Sequence, residues 1–169
     1  MTGSVLGRIL VCFDGSKDAR RACQLGLEIG GRFHAEVTVA TVFPQLHGRA
    51  EPLLQSLVPI SDDGKTLAHM LDEIQQKAPG LGVAKVHIVS LEGDAADAIT
   101  TYLDRHPQDL VVVGSRGLSR GRRLLLGSVS TELVQKVPAP VLVVRPAHER
   151  ARRTEPSSHE SRHAADPPP

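Results

Sequence analysis

Runs of apolar residues rich in Val and Ile alternate along this chain with helix-length stretches in which apolar positions recur at i, i+3 and i+4. Arg8 to Phe13 (RILVCF), Glu36 to Val42 (EVTVATV), Ala84 to Leu91 (AKVHIVSL), Leu110 to Val113 (LVVV) and Val141 to Val144 (VLVV) have the length and composition of five strands. Between them, Lys17 to Phe33, about Asp62 to Ala78, Asp94 to His106 and Ser128 to Val137 read as helices, each with an initial Ser or Asp able to cap free amides. Three of the strands are too continuously apolar to leave a face to water. Short connections between strands buried on both faces imply right-handed crossovers. The pattern therefore predicts an α/β fold, a doubly wound five-stranded parallel sheet with helices on both faces. Pro44 to Ser61 breaks the rhythm, reading either as a flap or as an irregular lead into the second helix.

The end of the chain is of another kind. Residues 147–169 contain no Val, Ile, Leu, Met or aromatic, and hold four Arg, four acids, three His and four Pro. Such a segment cannot offset the entropy of folding, so the expectation is one domain over residues 1–146 and a disordered tail over 147–169. The length of 169 residues with 40% apolar content suits a single core.

Charge narrows the function classes. Lys plus Arg number 20 and Asp plus Glu 19, a net +1 that supplies no field for bulk polyanions. Four aromatics (Phe13, Phe33, Phe43, Tyr102) and no Trp cannot build a base-stacking platform, which argues against nucleic acid as partner. No run approaches the roughly 18 apolar residues of a spanning helix, and no basic n-region opens the chain, so no membrane role is expected. Cys12 and Cys23 lack CxxC spacing and suit a reducing compartment. A soluble cytoplasmic protein is the reading.

Ligands of doubly wound sheets sit outside the carboxyl ends of the strands, where strand order reverses. The first strand delivers Asp14-Gly15-Ser16 there and the fourth Gly114-Ser115-Arg116-Gly117, followed nine residues later by Gly127-Ser128-Val129-Ser130-Thr131 at a helix start. The glycines permit positive φ and close backbone approach, and the helix start leaves amides and a partial positive charge for an anion. Leu110 to Thr131 holds no acid but Arg116, Arg120, Arg122 and Arg123. Neither GxxxxGK[ST] nor a GxGxxG after the first strand is present. Asp14 has two readings, a ligand role or an Asx turn before a helix, and the later arginines face either solvent or phosphate.

Gly114, Gly117, Gly127 and Ser128 match the G-x2-G-x9-G-[ST] signature of the universal stress proteins. With ILVCFDGSKDARRACQLGLEIG at the start and PVLVVRP at the end, the chain resembles that family from about Arg8 to Pro146. The resemblance implies an adenine nucleotide alpha hydrolase-like sheet in 3-2-1-4-5 order, with ATP between the first and fourth strands. Asp14 would lie by the ribose and phosphates, if need be through Mg2+ or Mn2+, and Val42 would receive the adenine on its backbone. Gly114 and Gly117 would lie against ribose and phosphates, while Gly127, Ser128, Val129 and Ser130 give amides and hydroxyls to the phosphates; Arg116 is a further candidate. The resemblance also implies a homodimer through the edge strand Val141 to Val144, the alternative being that Pro138, Pro140 and Pro146 protect that edge.

No general base follows the other strands, and no GxSxG or HExxH occurs, so no catalytic residue is assigned and efficient catalysis is not indicated. The reading is an ATP-binding stress-response regulator, a sensor or interaction module with an unknown protein partner. The alternatives are a cAMP-binding protein and a nucleotide-free dimeric interaction module.

Overall fold

The computed structural model describes residues 5–44, 64–118 and 126–145. In chain order the elements are β1 (Arg8–Cys12), α1 (Lys17–Phe33), β2 (Glu36–Phe43), α2 (Leu67–Lys77) running into a 3-10 turn (Ala78–Leu81), β3 (Lys85–Glu92), α3 (Ala95–Arg105), β4 (Leu110–Gly114), α4 (Ser128–Lys136) and β5 (Val141–Val144). The strands form one sheet in the order β3-β2-β1-β4-β5. All four pairings are parallel, with Ile9 opposite Val37 on one side and Leu110 on the other. The strand order thus reverses between β1 and β4, and their carboxyl ends diverge there.

Alternation along the strands explains why both faces are covered. Ile9, Val11, Val37, Val39 and Val112 turn to one face, where they pack with Ala22, Cys23 and Leu27 of α1 and Met70 and Ile74 of α2. Leu10, Cys12, Ala40, Val111 and Val113 turn to the other, against Ile99 and Leu103 of α3 and Leu133 of α4. Each fully buried side chain such as Ile9 or Leu10 contributes about 1.5–3 kcal/mol. The outer strands β3 and β5 are only half-buried, as edges must be. Helix α1 lies so close on the sheet that a Cβ at Gly26 would come within 2.6 Å of the Val11 side chain, and one at Gly30 within 2.6 Å of Val37.

The expected strands differ from the observed ones by a residue at most. The second helix differs more: it starts at Leu67 because Thr66, not Asp62, is its cap, accepting from the His69 amide. The expectations for residues 45–61, Arg120, Arg122, Arg123 and the tail of 147–169 lie outside the described residues. Among the described residues, no helix is long and apolar enough to cross a membrane.

Candidate functional site

The divergence of β1 and β4 opens a pocket enclosing about 280 Å3, near the lower end of the roughly 300–1,000 Å3 of small-molecule sites. All nine positions expected from the sequence line it: Asp14, Val42, Gly114, Arg116, Gly117, Gly127, Ser128, Val129 and Ser130. Cys12, Ala40, Ile99 and Val113 complete an apolar wall.

Asp14 leaves β1 just before Gly15, whose φ of 80° reverses the chain into α1. Its Oδ1 accepts from the Ser16 amide at 3.0 Å, which is the Asx-turn reading realised. Its Oδ2 accepts from the Leu118 amide at 3.0 Å, so the same carboxylate ties the loop after β4 to the end of β1. A divalent ion at Asp14 would find no other carboxylate in the described lining, and among the described residues no three His, Cys, Asp or Glu are grouped to hold a metal. The residues therefore fit an ion that takes most of its ligands from water and a bound phosphate, as Mg2+ commonly does.

Val42 sits at the adenine-receiving position that the resemblance implies, and the sheet explains how its backbone faces the pocket. The Ala40 carbonyl accepts from Phe13 N at 2.8 Å, whereas the Phe43 carbonyl accepts from Gly93 N on the β3 side at 2.9 Å. Main-chain groups alternate sides along a strand, so those of Val42 point toward β1, which has already ended at Cys12. Cys12 also lines the pocket, and burial, helped by the Asp14 charge, pushes its thiol pKa up to about 12. It faces the pocket as a neutral, weakly polar group.

None of the three signature glycines is among the positive-φ residues, and two of them, Gly114 and Gly117, serve space instead. A Cβ at Gly114 would lie 2.8 Å from Ala19 N, and one at Gly117 would lie 2.7 Å from Asp14 Oδ2. At Gly127 the nearest atoms are 3.4 Å or more away. Gly127, not Ser128, is the N-cap of α4, and it is a cap without a side chain: φ −74°, ψ 163° and no side-chain hydrogen bond. The other three α-helices among the described residues are capped by Ser16, Thr66 and Asp94. The first amides of α4, from Ser128 to Ser130, thus open on the pocket without a side-chain cap. The Ser130 hydroxyl, expected as a donor to phosphate, is instead buried and donates to the Gly127 carbonyl at 3.0 Å.

One residue that sequence reasoning did not single out organises the rim. Asp18, in the first turn of α1, is 8% exposed, and its Oδ2 accepts from Ser115 Oγ at 2.9 Å and from Arg116 Nε at 3.3 Å. Arg116 lines the pocket while paired to that carboxylate. An acid in a helix first turn was legible as a dipole complement; its partners 97 and 98 residues away were not.

The profile of the Universal stress protein family matches residues 6–145. Stress response protein NhaX of Bacillus subtilis (strain 168) is 30% identical, the match covering 82% of this chain and 97% of that protein. Universal stress protein UspA from Lactobacillus plantarum superposes with a TM-score of 0.67 at 28% identity, covering 83% of this chain and 98% of that one. A universal stress protein crystallised in complex with cAMP gives 0.67 at 26% identity, covering 83% and 98%. With strand order, pocket position and sequence in agreement, this chain belongs to the universal stress protein family.

Proposed function

We propose that the chain is an adenine-nucleotide-binding stress-response regulator, acting in the cytoplasm as a sensor or interaction module with ATP as its ligand. The observation that carries this reading is the uncapped start of α4 facing a pocket whose other end is apolar and lined by Val42. Free amides and a helix N-terminus suit phosphates, and the neutral slot beside the Val42 backbone suits a flat heteroaromatic base. Asp14 would help to hold a divalent ion such as Mg2+ or Mn2+ that the phosphates carry. When bound, that ion supplies neutralisation of phosphate charge. A dissociation constant of about 1 mM needs only about 4 kcal/mol, which a few amide contacts and a buried base can supply. Buried free thiols at Cys12 and Cys23 suit a reducing compartment.

A second reading, cAMP as ligand, is supported by the cAMP complex of the similar universal stress protein. Protein purified without added ligand and then denatured separates the two, because any released nucleotide can be identified by chromatography and mass. ATP or ADP supports the first reading and cAMP the second. If nothing is released, calorimetric titration with ATP plus magnesium and with cAMP decides. No heat with either would overturn nucleotide binding and favour a nucleotide-free dimeric interaction module.

A further inference from the structure

The phosphate end of the pocket carries an unexpected charge balance. Among the described residues the lining has one cation, Arg116, and one anion, Asp14. Arg116 is not a bare cation, because its Nε is bound to Asp18, a carboxylate outside the lining and 8% exposed. Ser115 Oγ, itself from a residue 1% exposed, fixes the other side of the same Oδ2. The Ser16 hydroxyl donates to the Arg116 carbonyl at 3.4 Å, so the backbone of that residue is held as well. Counted with Asp18, the described rim thus has one more carboxylate than guanidinium. A buried charge is screened by water and salt far less than an exposed one, so its field reaches into the pocket.

Resting on the nucleotide-binding reading, we infer that Asp18 is a specificity-determining residue. By neutralising Arg116 it sets how much phosphate charge the site accepts, and it biases the pocket toward nucleotides of low charge. Attraction to the α4 amides is local and nearly the same for each ligand's first phosphate, whereas attraction by an unpaired guanidinium grows with every added charge, so pairing Arg116 with Asp18 takes more affinity from a triphosphate than from a phosphodiester. The discrimination therefore lies between a single phosphodiester and a triphosphate chain, and a divalent ion on the triphosphate lessens it.

The test compares wild type, Asp18→Asn and Ser115→Ala by calorimetric titration with ATP, cAMP and adenosine, without divalent ions at low salt. Asparagine keeps an oxygen for Ser115 Oγ and removes the charge. It is expected to raise the ATP-to-cAMP affinity ratio by about tenfold, the size of a change of about 1.4 kcal/mol. Adenosine affinity should stay within about twofold, and the gain should shrink at high salt. Ser115→Ala keeps the charge and removes the hydroxyl, so the ratio should not move even where the melting temperature falls. An unchanged or lowered ratio in Asp18→Asn overturns the inference, as does an equal shift in Ser115→Ala, which would make the effect one of loop structure. A wild type that gives no heat with cAMP, and none with ATP even when magnesium is added back, overturns the nucleotide reading itself, and this inference with it.

Discussion

The glycine and cysteine positions show how one residue type serves different physical ends. A Cβ at Gly114 meets main-chain atoms of Asp18 and Ala19 at 2.8 Å, and main chain in a packed helix start cannot step aside. Gly114→Ala is therefore expected to cost about 1–3 kcal/mol, lowering the melting temperature by several degrees. At Gly117 the added Cβ meets only the end of the Asp14 carboxylate, so Gly117→Ala should melt closer to wild type. Equal losses in thermal melts of the two variants would contradict this difference. The cysteines make a pH prediction. Burial pushes both thiols from 9.0 up to about 12, so between those values the unfolded chain releases protons that the folded chain keeps. Their contribution to stability is then complete below about pH 9 and falls as pH rises toward 12, by up to about 1.4 kcal/mol per pH unit for each thiol. Urea unfolding at pH 8 and pH 10 should show a smaller loss in a Cys12→Ala, Cys23→Ala double variant than in wild type. Identical losses would mean that the thiols do not contribute to base sensitivity.

Among the described elements, the four α-helix starts share a task and three share a solution. Ser16, Thr66 and Asp94 place an oxygen over the next helix's first amides. Gly127 has the extended backbone of a cap and no oxygen to offer. Gly127→Asp should supply one without a clash, since its Cβ would lie 3.4 Å or more from its neighbours. Stability without ligand is expected to rise by about 0.5 kcal/mol, while the carboxylate displaces phosphate from the amides of Ser128 to Ser130 and lowers ATP affinity at least tenfold. Opposite signs in a melt and a titration would identify that helix start as the phosphate site; an unchanged affinity would remove it. This is also where the sequence was most and least legible. Val and Ile runs gave strands to within a residue because a β-strand buried on both faces has little freedom of composition. Asp14, Gly114, Arg116 and Gly117 were legible because they follow the two strands that flank the reversal of strand order, and Gly127 to Ser130 because they open a helix, whereas Val42 came from the family resemblance. The start of α2 and the cap of α4 were not, because Ser, Thr, Asp and Gly compete for cap positions within a few tenths of a kcal/mol. Nor was the Asp18 pairing, which depends on how closely α1 approaches β4 at Gly114.

At the scale of the whole molecule, β3 and β5 are the edges of the sheet among the described residues, and β5 is the one that bears on assembly. Its four residues, Val141 to Val144, are half-buried, and β4 takes only one side of them. Homodimerisation through this edge is the reading we propose, and the register says which amides would carry it. The Pro140 carbonyl accepts from Val111 N and the Val144 carbonyl from Ser115 N, so even-numbered residues face β4. By the alternation of a parallel strand, Val141 and Val143 direct their main-chain groups to the open edge. A proline at 143 would then remove an outward amide without breaking a bond inside the sheet, a placement that edge strands tolerate. Val143→Pro is expected to fold, to keep its ATP affinity and to sediment as a monomer where wild type sediments as a dimer. Ligand should still raise its melting temperature, since occupancy at one hundred times the dissociation constant adds about 2.7 kcal/mol to any folded form that binds. A dimeric Val143→Pro would move the interface elsewhere. A monomeric wild type would instead leave the sheet edge guarded by Pro138 and Pro140, with the nucleotide pocket complete in a single chain.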